Sequence, residues 1–159
     1  MIKKKIYSWQ DIETMCVSIV NQMYRDNWRP DYIVGITRGG NVPATIISNM
    51  TGIRCEALKV ALRDDNSYLE SNGWMAEDSF GYIDKENRQK DNEGQFICSD
   101  PLKRKNILIV DDINDTGATF NWIKQDWSSG CLPDDPHWKN VWGNNVRFAV
   151  LTDNLSSEF

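Results

Sequence analysis

Two adjacent carboxylates follow a short apolar run in the stretch ILIVDDINDTGATF, residues 107–120. The run 107–110 predicts a buried strand, with Asp111 and Asp112 at its carboxyl end. Paired acids repel each other, so they need a cation, hydroxyl donors or water close by. The small polar residues that follow suit a tight loop whose backbone N–H groups face an anion, before a helix from about 116 to 127. These residues therefore predict a site for a ligand that combines hydroxyl groups with an anion.

A second loop of unusual composition follows the apolar stretch 32–36. Its residues are Thr37, Arg38, Gly39 and Gly40, which combine a cation with glycines that allow close backbone approach. Taken alone, such a loop is also typical of an ordinary glycine turn. It gains weight because it leaves its own predicted strand, as the acidic loop does.

Apolar periodicity predicts the elements that position these two loops. A helix is expected over 9–26, capped by Ser8 with Asp11 in its first turn, and a second from about 42 to 50. Strands are expected at 32–36, 55–62, 107–110 and 147–151, separated by polar segments at 63–105 and 128–144. This alternation predicts an α/β fold, a parallel twisted sheet flanked by helices, with a long loop insert at about 63–105. Ligands of such sheets bind at the carboxyl ends of the strands.

Length and charge set limits on the class of protein. The 159 residues fit one domain, 1–159, and the net charge of −5 argues against binding nucleic acid by phosphate neutralisation. No apolar run reaches the ~18 residues of a membrane span, and the basic N-terminus lacks the apolar stretch of a signal peptide. Four widely spaced cysteines and a single histidine argue against zinc. We therefore expect reduced thiols, a cytoplasmic location and no membrane partner.

The segment VDDINDTGAT resembles the phosphoribosyl-pyrophosphate (PRPP) motif of type I phosphoribosyltransferases, and VGITRGGNVPA resembles the same family's pyrophosphate loop. Two motifs in the family's order are far more specific than either alone, and the resemblance covers roughly residues 30–62 and 105–152. It implies transfer of the 5-phosphoribosyl group of PRPP to a nucleobase, with release of pyrophosphate and Mg²⁺ as cofactor. It also implies a homodimer, and a peptide bond before Arg38 that is often cis.

The resemblance also implies the role of each site residue. Asp111 and Asp112 would hold the ribose hydroxyls, directly or through Mg²⁺. Arg38 would supply charge to the pyrophosphate in catalysis, within the loop formed by Thr37, Arg38, Gly39 and Gly40. The 5-phosphate would lie in the loop formed by Asp115, Thr116, Gly117, Ala118 and Thr119. Lys59 and Arg63 are candidate contacts from the family's mobile loop.

Asp115 selects the subfamily that the chain resembles. Enzymes of this family that act on 6-oxopurines carry an acid at this position, where it would take the proton that leaves N7 of the purine. The resemblance is therefore to the small xanthine or hypoxanthine-guanine enzymes of purine salvage.

Three positions depart from the family pattern. Ala118 stands where a glycine is frequent, and Thr152 and Asp153 stand where many purine enzymes carry a lysine that meets the base carbonyl. The chain reaches Phe159 soon after the last predicted strand, so the family's C-terminal hood is expected to be absent or replaced. Candidate aromatic residues to stack on a base are Trp74, Tyr82 and Trp142. The alternatives are a protein that senses PRPP or nucleotides, and a transferase with a non-purine acceptor.

Overall fold

The fold is built on a four-stranded parallel sheet, seen in a computed structural model that describes residues 7–60, 73–114 and 116–153. The strands are β1 (Tyr32–Thr37), β2 (Cys55–Lys59), β3 (Ile107–Asn114) and β4 (Val146–Asp153), in the order β2-β1-β3-β4. All three strand pairs are parallel. The predicted α/β fold with a parallel sheet is confirmed.

The described residues form four helices beside the sheet: α1 (Trp9–Arg25), α2 (Asn41–Thr51), α3 (Gly73–Phe80) and α4 (Ala118–Gly130). The start of α1 carries the predicted capping box, in which the Ser8 hydroxyl and the Asp11 carboxylate each accept a backbone N–H of the other residue. The end of α2 follows from Gly52, whose φ of 76° suits a residue without a Cβ atom.

The helices cover both faces of the sheet because residues of β3 alternate between two apolar cores. Leu108 and Val110 pack with buried side chains of α1 and α2, while Ile107 and Ile109 pack with those of α3 and α4. The residues between 107 and 110 are therefore apolar at every position, as expected for a parallel strand buried on both sides. The carboxyl end of this strand is thus held firmly beside its neighbours.

The acidic stretch is more regular than predicted, because β3 continues past Val110 to Asn114. The extension exists because β4 also runs on to Asp153, and the register pairs Asp111 with Val150 and Asn114 with Asp153. The helix predicted from about 116 is present and begins two residues later. Helix α4 begins at Ala118, after Gly117 in the left-handed region, and it ends at Gly130 rather than near 127.

The segment predicted as a long loop insert, 63–105, contains ordered structure in its described part, 73–105. It holds α3, two 3-10 turns (Lys85–Asn87 and Pro101–Lys103) and two antiparallel bridges, Tyr82 with Ser99 and Lys90 with Phe96. The bridges and the turn between them form a short hairpin. The other polar connection, 128–144, contains the 3-10 turn Pro136–Asn140.

Long-range hydrogen bonds attach α3 to the amino-terminal edge of the sheet. The hydroxyl of Tyr32, the first residue of β1, donates to Asp78 Oδ2 at 2.9 Å. The side-chain amide of Asn145, just before β4, donates to the carbonyl oxygens of Ser79 at 2.9 Å and Lys105 at 3.0 Å. The polar residues of this segment are therefore structural contacts of the edge opposite the carboxyl ends of the strands.

Two further observations concern membrane-spanning helices and the cysteine thiols. No helix among the described residues is long and apolar enough to cross a membrane. The four cysteines are free thiols, and burial raises the pKa of Cys131 to about 11, which leaves that thiol unreactive at neutral pH.

Candidate active site

Two loops meet at the carboxyl-terminal edge of the sheet, where β1 and β3 lie side by side. A Cβ atom on Gly39 would come within 3.0 Å of the Asp112 carboxylate, and one on Gly40 would come as close to the Val110 carbonyl oxygen. Only glycine allows this approach of the 37–40 loop to the end of β3. The peptide bond between Thr37 and Arg38 is cis, as the resemblance implied.

The 37–40 loop offers a cation and backbone groups to solvent. Thr37 and Arg38 are exposed, whereas Gly40 is buried against β3. The parallel register pairs Thr37 with Lys59, the last residue of β2, so a second cationic side chain belongs to the same edge. Arg38 and Lys59 therefore stand where a highly charged anion would be attracted from solvent.

The acid pair combines a buried carboxyl group with a half-buried one. Asp111 is 8% exposed, and its Oδ1 accepts the backbone N–H of Asp112 at 2.8 Å. The Asp112 carboxylate accepts the N–H of Ile113 at 2.9 Å. Burial, reinforced by the neighbouring Asp112 carboxylate, raises the pKa of Asp111 to about 7. Hydroxyl donors or a cation placed against this pair would favour its ionised form.

A helix N-terminus completes the edge. Gly117 is buried with φ of 78°, and the Ala118 N–H donates to Thr116 Oγ1 at 3.3 Å. The first amides of α4, from Ala118 and Thr119 onward, have no partner within the helix and carry the positive end of its dipole. This is a favourable position for a phosphate group. Asp115 and Arg63 lie outside the described residues.

Mg²⁺ fits the donor set of this edge. In the described part of the chain no three His, Cys, Asp or Glu side chains come together as a metal site. Two adjacent carboxylates remain, and Mg²⁺ is commonly bound by one or two carboxylates, with substrate oxygens and water as its other ligands. Burial and the Asp112 carboxylate raise the pKa of Asp111, and a divalent cation bound to the pair would favour its ionised form.

Two polar residues that the sequence did not assign to the site also lie at this edge. Asn114 is 4% exposed, and its Nδ2 donates to Asp153 Oδ1 at 2.8 Å across the β3–β4 pair. Asp153 itself is exposed. One signal was present in the sequence, the acid at the position of an expected lysine, but Asn114 was interpreted as part of a loop and so had no predicted partner.

The aromatic residues suggested for base stacking lie elsewhere. Trp74 packs against Tyr32 at the amino-terminal end of β1, with ring centroids 5.5 Å apart. Tyr82 forms a bridge with Ser99 in the hairpin, and Trp142 forms one with Val146, the first residue of β4. The structure does not bring these side chains to the acid pair, because α3 and the hairpin are attached to the opposite edge of the sheet and Trp142 lies beside the first residue of β4.

A family model described as "Phosphoribosyl transferase domain" matches residues 3–125. The match covers most of the chain, which therefore belongs to the phosphoribosyl transferase domain family. The fold is that of its type I members, as the sequence motifs predicted.

Similar proteins include two yeast enzymes and a bacterial one. The chain is 27% identical over 131 residues to xanthine phosphoribosyltransferase 1 of Saccharomyces cerevisiae. The aligned residues make up 72% of this chain and 56% of the yeast protein. It is 27% identical over 132 residues to hypoxanthine-guanine phosphoribosyltransferase of Schizosaccharomyces pombe. This alignment covers 73% of this chain and 55% of the S. pombe protein. The chain thus spans about half the length of these curated relatives. The crystal structure of Helicobacter pylori xanthine-guanine-hypoxanthine phosphoribosyltransferase superposes with a TM-score of 0.57 at 15% identity, covering 96% of this chain and 79% of that one.

Proposed function

We propose that this protein transfers the 5-phosphoribosyl group of PRPP to a nucleobase, with a 6-oxopurine as the favoured acceptor, and releases pyrophosphate. The observation that carries the proposal is the approach of Gly39 to Asp112, which joins the two anion-binding loops and the acid pair at one edge. Membership of the phosphoribosyl transferase domain family supports it, as do the xanthine and hypoxanthine-guanine names of the relatives. The reaction belongs to purine salvage.

Each part of PRPP has a matching group at this edge. The N-terminus of α4, with Thr116 and Thr119, binds the 5-phosphate. The pyrophosphate binds the 37–40 loop, where Arg38 stabilises the charge that the leaving group acquires. Asp111 and Asp112 accept hydrogen bonds from the ribose hydroxyls, and their negative charge favours the oxocarbenium-like centre that forms at the sugar.

Mg²⁺ is the proposed cofactor, held by Asp111 and Asp112 directly or through water. When bound, it neutralises charge on the pyrophosphate and draws substrate oxygens toward the acid pair. Asp115 is the proposed general base for the proton at N7, an assignment that comes from its place in the sequence motif. Lys59 and Arg63 are proposed to contact the pyrophosphate. A homodimer in the cytoplasm, with no nucleic-acid or membrane partner, remains our expectation.

The decisive assay measures pyrophosphate release from PRPP and Mg²⁺ with hypoxanthine, guanine, xanthine, adenine, orotate and uracil. We expect release with 6-oxopurines. Asp115→Asn should lower turnover by about 100-fold or more while PRPP binding, followed by calorimetry, stays unchanged. Asp91→Asn in the hairpin is a matched control that leaves both unaltered.

Two results would contradict the proposal in different ways. Equal loss of turnover and of PRPP binding in Asp115→Asn would remove the general-base role. PRPP binding by the wild-type chain without release for any base would favour the sensing protein, the alternative suggested by Asp153 in place of a lysine.

A further inference from the structure

The end of β3 joins the acid pair to the loop in which the 5-phosphate is proposed to bind. Asn114 is the last residue of β3, and it lies between Asp112 and Thr116 in the chain. Its side chain is 4% exposed, although the buried positions at the start of this strand, 107–110, are all apolar. A buried amide destabilises a fold unless it is hydrogen-bonded, so the contacts of Asn114 indicate why a polar residue lies here.

Asn114 connects the end of β3 to the end of β4. The Asn114 amide donates to Asp153 Oδ1 at 2.8 Å, and the two residues form the last pair of the β3–β4 register. The bond is charge-assisted, which makes it stronger than a hydrogen bond between two neutral groups. Because the register of the described residues ends at this pair, the side-chain bond holds the last residue of β3 against β4.

The two anion-binding loops are held by different neighbours of β3. The 37–40 loop follows β1, and Gly40 lies so close to β3 that a Cβ atom would have no room beside the Val110 carbonyl oxygen. The 116–119 loop follows β3 itself, and β4 lies on the side of β3 away from β1. Loss of a contact between β3 and β4 should therefore change the 5-phosphate site and leave the pyrophosphate site in place.

We propose that Asn114 and Asp153 are positioning residues of the 5-phosphate site, an inference that rests on the proposed function. Their hydrogen bond fixes the last residue of β3, and through it the 116–119 loop and the first turn of α4. The role needs only the bond between these two side chains, whatever else either of them contacts. A misplacement of about 1 Å can lower the efficiency of a site by about 100-fold, so a small movement of the loop is sufficient.

A purely structural role makes a different prediction for Asn114→Leu. Leucine shares the branching of asparagine, cannot donate a hydrogen bond, and matches the apolar residues 107–110 of the same strand. Replacement of a buried polar group by an apolar one can be nearly neutral for stability, and the exposed Asp153 carboxylate stays solvated. A structural contact alone would therefore leave ligand binding unchanged, whereas a positioning role predicts weaker binding of the 5-phosphate by a folded protein.

The test measures two ligands by calorimetry on the full chain with Mg²⁺. Ribose 5-phosphate reports on the 5-phosphate site, and inorganic pyrophosphate reports on the 37–40 loop. Asn114→Leu should weaken ribose 5-phosphate by about 10-fold or more and pyrophosphate by less than about 2-fold. Asn106→Leu, the same substitution just before the amino-terminal end of β3, is the matched control and should leave both affinities unchanged.

An exchange of the two side chains tests the pair itself, and it decides the question should Asn114→Leu not fold. Asn114→Asp places two carboxylates in contact, and their repulsion should weaken ribose 5-phosphate as well. Asn114→Asp combined with Asp153→Asn restores an amide beside a carboxylate at the wild-type net charge. Ribose 5-phosphate affinity should then return to within about 3-fold of wild type, because the two substitutions are coupled.

The results separate this inference from the proposed function. Unchanged ribose 5-phosphate affinity in Asn114→Leu, equal weakening of both ligands, or no recovery in the exchanged variant would each overturn the positioning role. Selective weakening of ribose 5-phosphate, in a chain that releases no pyrophosphate with any base, would keep the inference and refute the transferase. Pyrophosphate release by wild type, with equal weakening of both ligands in Asn114→Leu, would do the reverse.

Discussion

The two edges of the sheet use polar residues in opposite ways. At the amino-terminal edge, polar side chains bond to distant parts of the same chain, as in Tyr32 with Asp78 and Asn145 with Ser79. At the carboxyl-terminal edge, Asp111 and Asp112 accept neighbouring backbone N–H groups, and burial together with the Asp112 carboxylate raises the pKa of Asp111. The first edge stabilises the fold, whereas the second retains charge that a ligand would relieve.

The largest expected effect tests the carboxyl-terminal edge through Gly39→Ala. The added methyl group would overlap the Asp112 carboxylate, so the carboxylate or the 37–40 loop must shift from its position. We expect PRPP affinity to fall by about 100-fold or more, since small displacements of binding groups have effects of this size. Calorimetry measures the affinity. Gly130→Ala, where a Cβ atom meets nothing within 4 Å, is the matched control and should keep wild-type affinity.

Asn145→Ala tests the amino-terminal edge. The change removes two hydrogen bonds, one of them to the buried carbonyl group of Ser79, and should lower the free energy of unfolding by about 3 kcal/mol. Urea denaturation measures this loss. PRPP affinity at temperatures where the variant is folded should equal that of wild type, and a large fall in affinity would break the separation of the two edges.

Asp111→Asn sharpens the comparison through pH. Because the pKa of Asp111 is raised to about 7, above its value near 3.9 in an unfolded chain, the folded state favours the protonated form. The contribution of the protonated Asp111 carboxyl group to the stability of the folded state is full below pH 3.9 and is lost as pH rises to about 7. The variant keeps an oxygen for the Asp112 N–H and carries no charge. Between pH 5 and pH 8 its free energy of unfolding should rise by about 2 kcal/mol relative to wild type, measured by urea denaturation at both pH values, while its PRPP binding weakens.

Tyr32→Phe has the smallest expected effect. It removes the hydrogen bond to Asp78, which keeps Lys105 as a partner at 3.8 Å. A loss of about 1 kcal/mol in the free energy of unfolding is expected, again without change in PRPP affinity. Asn106→Ala also loses a hydrogen bond at this edge, and we expect a similar fall in its free energy of unfolding. A stability loss confined to ligand-bound protein would place Tyr32 in the site instead.

The sequence predicted features whose causes are local. The apolar run before Asp111 gave a strand, Ser8 with Asp11 gave a helix start, and the alternation of elements gave a parallel sheet that brings two loops to one edge. The extension of β3 to Asn114 could not be predicted in this way, because those polar residues become strand through pairing with β4. The position of α3 depends on Asp78 meeting Tyr32, 46 positions away. The chemical roles of the site residues remain predictions for the assays above.

The pairing of Tyr32 with Ile107 has a consequence for how the site is assembled in time. The two central strands are 75 positions apart in the chain, so bringing them together closes a long loop before any contact at the site forms. On a ribosome, the acid pair emerges long after the 37–40 loop, and neither can hold a substrate alone. Recovery of PRPP binding after dilution from urea should therefore follow the formation of the whole sheet, with no earlier binding-competent species.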